Sequence, residues 1–100
     1  MIISLLKHLY FVNPTEIGDS DVMIGVCPNP TYNKLNLLVM ERFEMIIYEL
    51  CNEKQIVLKV KAFNTKEESI DLIKYSGKRF ILKVYDERKL LKSFQIQKVY

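Results

Sequence analysis

Some stretches of this chain alternate between apolar and polar residues, and others repeat their apolar residues every three or four positions. The clearest alternation is RFILKVY at 79–85, with Phe80, Leu82 and Val84 on one side and Arg79, Lys83 and Tyr85 on the other. That two-residue period predicts a half-buried strand. IVLKVKAF at 56–63 repeats the pattern, with Ile56, Leu58 and Val60 on one face and Val57, Lys59 and Lys61 on the other, and a strand is expected over 56–62. DVMIGVC is a compact apolar run bounded by turn residues, which suits a buried strand. A last strand is expected near 90–98. The polar run Asp86-Glu87-Arg88-Lys89 reads as the turn that pairs it with 79–85 in a hairpin.

Other stretches carry the helical period. Ile2, Leu5, Leu6 and Leu9 predict a short amphipathic helix over 2–12, ended by Asn13-Pro14, with a first strand as the alternative. In 33–51, positions 35, 38, 39, 42, 43, 46, 47 and 50 form one helical face, apolar except for Arg42. Leu, Met and Glu dominate this segment, so a long helix is expected there, with Asn52 as its left-handed cap. Two strands, LNLLVM and MIIYEL, are the alternative. Thr65 and Glu68 make a T-x-x-E capping-box pattern ahead of a second helix at 66–75, and Gly77 fits the position just past its end.

The expected order is α-β-α-β-α-β-β, a small single α/β domain over 1–100 with a β-α-β unit and a C-terminal hairpin. A two-layer α+β arrangement is the alternative. If strands 56–62 and 79–85 are parallel neighbours, the crossover between them is right-handed.

Composition adds bounds rather than a function. One hundred residues, 49% hydrophobic and 27% charged, suit one globular domain with an ordinary core. MIISLLKHLYFV is shorter than the ~20 residues a membrane span needs. It also lacks the basic start and cleavage site of a signal peptide. Two cysteines without a secretory signal favour a reducing interior, the cytoplasm of a bacterium or of a virus-infected host cell. Charge is uneven: residues 1–53 hold three basic and seven acidic side chains, residues 54–100 twelve basic and five acidic.

Candidate chemistry centres on two places. Lys59, Lys61, Arg79 and Lys83 would project together with Tyr85 if their strands are neighbours. Such a row can meet an acidic protein surface, can neutralise phosphates while the ring stacks a base, or can simply be solvated. The second place is Cys27-Pro28-Asn29-Pro30. A thiol at a helix start has its thiolate stabilised by the free amides there, whereas a buried cysteine only packs. Cys51 is expected to pack. His8 and two distant cysteines supply no zinc-ligand spacing, and no cofactor motif is present.

A cysteine ending the first strand, Cys-Pro opening the next helix, and RFILKVYDERKLLKSF as a closing hairpin together resemble the thioredoxin-like superfamily over roughly residues 20–98. The resemblance implies Cys27 as a catalytic nucleophile. Pro30 stands where the family's second cysteine would be, so it implies monothiol rather than dithiol exchange. Without a complete catalytic constellation, the expectation is a small intracellular binding or regulatory protein acting through protein–protein contact. Monothiol exchange through Cys27 and nucleic-acid binding through a basic sheet face are the alternatives.

Overall fold

Every described element is a strand. The computed structural model describes residues 17–18, 23–41 and 43–99. They form β1 (Ile17–Gly18), β2 (Ile24–Cys27), β3 (Lys34–Val39), β4 (Ile46–Asn52), β5 (Val57–Phe63), β6 (Glu67–Asp71), β7 (Arg79–Asp86) and β8 (Lys89–Gln97). All strand pairs are antiparallel. The larger sheet runs β1-β8-β7-β4-β5 and the smaller one β2-β3-β6. Their inner faces share one core: Val26, Leu35, Leu37 and Ile70 from the smaller sheet, and Tyr48, Leu50, Leu82, Val84 and Phe94 from the larger. A sandwich of this kind buries alternate residues of each strand and leaves the others on two outer faces.

The expected α/β class, and with it the thioredoxin-like fold, is therefore corrected to all-β. The segment 33–51 is not a helix but two strands in different sheets, β3 and β4. Its buried positions follow a period of two: Leu35, Leu37 and Val39, then Ile46, Tyr48 and Leu50. Leu38 and Ile47 are apolar on the opposite faces and half-buried, which fills in a helical stripe and hides the alternation. The second expected helix, 66–75, contains β6, which is paired to β3 with Ile70 opposite Leu35. Thr65 does not cap a helix; its hydroxyl donates to the Glu67 carbonyl at 2.9 Å. The β-α-β unit expected between 56 and 85 does not form either, because β5 and β7 both pair with β4, one on each side. The helix expected over 2–12 lies outside the described residues.

The strand expectations fare better. β2 falls within DVMIGVC, and β7 and β8 form the closing hairpin, with Phe80, Leu82 and Val84 buried. Glu87 in the hairpin turn has φ of 54°, and Gln55 in the β4–β5 turn has φ of 66°. Asn52 organises that second turn: its side-chain oxygen accepts from the amides of Lys54 and Ile56, an Asx arrangement suited to a tight reversal.

The chain from β2 to β3 closes one end of the larger sheet. Asn29 donates through Nδ2 to the Gln95 carbonyl at 2.8 Å and accepts from the Gln97 amide at 3.0 Å. The Thr31 amide donates to the Gln97 carbonyl at 2.9 Å. The Cys27–Pro28 and Asn29–Pro30 bonds in this segment are cis. No helix among the described residues is long and apolar enough to cross a membrane.

Candidate functional site

The outer face of the larger sheet departs from the polar-out pattern of a sheet with one solvated face. Strand register assembles it in rows. Tyr85, Ile47 and Ala62 lie side by side across β7, β4 and β5. In the next row Lys83 faces Glu49, which faces Val60. In the third, Ile81 faces Cys51, which faces Val57 beyond a bulge. Val57 and Val60 are about half exposed, at 49% and 57%. Among the described residues no sheet lies over these rows, although Cys51 within the third is itself buried and Ile47, Ile81 and Tyr85 are half-buried.

At one end the apolar rows run into a groove of about 660 Å³ between this face and the chain at Asn29 and Pro30. Arg79, Gln95 and Gln97 line it from the sheet, and Glu53 lines it from the β4–β5 turn. The Arg79 guanidinium is exposed there, a fixed positive fork suited to a carboxylate.

The expected basic row is divided. Arg79, Lys83 and Tyr85 share this outer face, but Lys59 and Lys61 do not. Lys61 lies opposite Tyr48 and Lys59 opposite Leu50, both inward-facing residues. Phe63 explains the inversion: it enters the core beside Tyr48, with ring centroids 6.1 Å apart, and the two-residue period then turns Lys61 and Lys59 the same way. At the open rim of the sandwich Lys61 reaches across to β6 and bonds Glu68 at 2.5 Å. A continuous basic track for a phosphate backbone is therefore not assembled.

The thiols are placed in unlike settings. Cys27 is half-buried at the end of β2, opposite Asn36. No helix follows it, so the amides and dipole that would stabilise a thiolate there are missing. Cys51 is buried, and its thiol donates to Glu49 Oε1 at 3.6 Å. Burial above all, then the Glu49 charge and this hydrogen bond, push the Cys51 thiol up, with Lys83 opposing. Its burial is that of a packing thiol. Among the described residues no group of three His, Cys, Asp or Glu side chains is arranged to hold a metal ion.

The sequence pattern did not place Ile47, Ala62 and Val60 on this outer face, and it set Val57 there only in company with Lys59 and Lys61, which face the other way. The signal of the first four was visible only as apolar residues out of phase with the core, which in a half-buried sheet marks an exposed apolar position. Comparison with protein-family models, curated proteins and solved structures finds no match to this chain.

Proposed function

We propose that this chain is a small protein-binding, regulatory β-sandwich that works through the outer face of its larger sheet. The observation that carries this reading is the row Tyr85–Ile47–Ala62 with Val60 and Val57 beside it, an apolar surface with no covering layer among the described residues. Contiguous exposed apolar surface marks a contact site more often than chance. Arg79 and Lys83 give that surface a positive margin, so the matching partner is a protein with an apolar patch and acidic residues at its edge. A cytoplasmic setting belongs to the same reading, since it keeps the two free thiols reduced.

The test starts from proteins retained by the tagged chain from an extract of its source cells treated with nuclease. A retained protein is purified and its affinity measured for the wild type, Ala62→Glu and Leu38→Glu. Ala62→Glu, on the proposed face, is expected to weaken binding about tenfold or more. Leu38→Glu, on the outer face of the smaller sheet, is expected to leave it nearly unchanged. No retained protein, or equal affinities for all three forms, would defeat the reading. Retention that disappears with nuclease would favour nucleic acid instead.

A further inference from the structure

β5 ends the larger sheet, and among the described residues no strand lies beyond it. One line of its backbone amides and carbonyls therefore faces outward without a ladder partner, a template for strand addition. The strand is seven residues long, and its register is regular from Lys59 to Phe63 before the bulge, enough to hold a short added strand. Its two sides differ in chemistry. Val60 and Ala62 continue the apolar outer face, while Lys59 and Lys61 stand on the opposite side. Lys61 is bonded to Glu68, and Lys59 has no partner among the described residues.

These lysines decide what can pair there. In a two-fold antiparallel pairing of β5 with the β5 of a second copy, facing residues share a side of the sheet, so Lys59 and Lys61 would meet the lysines of that copy. Like charges directly opposite are destabilising, and lysines on an edge strand guard against self-pairing. A strand with acidic residues at alternate positions meets the opposite situation. Its carboxylates face Lys59 and Lys61, and its intervening residues extend the apolar rows past Val60 and Ala62.

We propose that β5 takes up an extended segment of a partner protein in which acidic and apolar residues alternate, adding it to the larger sheet as a sixth strand. The inference rests on the protein-binding reading of the outer face and names the segment through which the partner is gripped. Main-chain hydrogen bonds supply the contact, and the alternation supplies the selectivity.

The test uses the full chain and synthetic peptides about seven residues long that alternate glutamate with valine. Controls alternate lysine with valine, or carry the glutamates in one block. The alternating acidic peptide is expected to bind the wild type about tenfold or more tightly than either control. N-methylating its alternate residues on the pairing edge removes the amide donors and is expected to abolish binding. Lys59→Glu changes an exposed side chain, so the fold is retained, and it is expected to reverse the preference between the acidic and lysine peptides. Failure of the acidic peptide to bind, or equal binding of all peptides, overturns the inference and leaves the edge lysines as guards alone. Binding that ignores N-methylation and Lys59→Glu but is lost in Ala62→Glu also overturns it. That last outcome would leave the outer-face reading standing by itself.

Discussion

The hydroxyl of Tyr48 is buried with no hydrogen-bond partner among the described residues. Its ring is fully enclosed and packs beside Phe63. Burial above all, then the negative charge of Glu68 and the neighbouring Tyr75, push the phenol up to about 12 from 10.0. The neutral phenol is thus favoured in the folded chain, and the charged form in the unfolded one. The stabilisation this gives is complete below pH 10 and is lost as pH rises through about 12. Tyr48→Phe removes both the unpaired hydroxyl and the titration. It is expected to raise stability by about 1 kcal/mol at neutral pH. The advantage of the variant should widen by about 2 kcal/mol between pH 10 and 12, read from denaturant unfolding of both forms at each pH. A variant less stable than the wild type at neutral pH would mean that the hydroxyl has a partner.

Strands of one sheet do different work according to what lies beside them. β7 has partners on both sides, its inward residues Phe80, Leu82 and Val84 are covered, and its alternation could be read directly. β5 has one partner and only Phe63 buried, so its period was legible but not which side faced in. The apolar Ile56, Leu58 and Val60 suggested an inward face; only Leu58 packs against the core, where a bulge breaks the period of β5, and Phe63 turns Lys61 and Lys59 inward. In 33–51 the obstacle was different. Ile47 belongs to the apolar rows of the outer face, where it is half-buried, and with Leu38 it breaks the alternation that would have announced β3 and β4. The same property that marks the candidate surface therefore concealed the strands that carry it.

At the edge of the larger sheet, charge is expected to hold copies of this chain apart. Replacing Lys59 and Lys61 with valine, with Glu68→Gln to remove the carboxylate that would lose its partner, leaves an edge with no repulsion. Valine also pairs well across strands. This triple variant is expected to form dimers or larger species at concentrations where the wild type does not, measured by sedimentation or light scattering. An unchanged oligomeric state would show that the lysines do not govern pairing at β5.

Across the whole molecule, the halves of the sequence and the faces of the sandwich do not coincide. The acidic first half supplies β4, and the basic second half supplies β5 and β7 on either side of it. Glu49 consequently lies opposite Lys83, and the charge asymmetry along the sequence is partly cancelled in space. What remains on the outer face of the larger sheet is an apolar band with Arg79 and the groove at one end. Of the proposed residues there, Arg79, Lys83 and Tyr85 could be read from one strand's alternation. Ile47 and Ala62 could not, because their place beside Tyr85 comes from the pairing of three strands.

The most direct measurement is a titration of the isotopically labelled chain with the purified partner, following backbone amide shifts residue by residue. The expected changes gather at Ile47, Val60, Ala62, Ile81 and Tyr85 and continue along the free edge of β5. Changes gathered instead at Asn36, Leu38 and Ser69, on the outer face of the smaller sheet, would contradict the assignment of the binding surface.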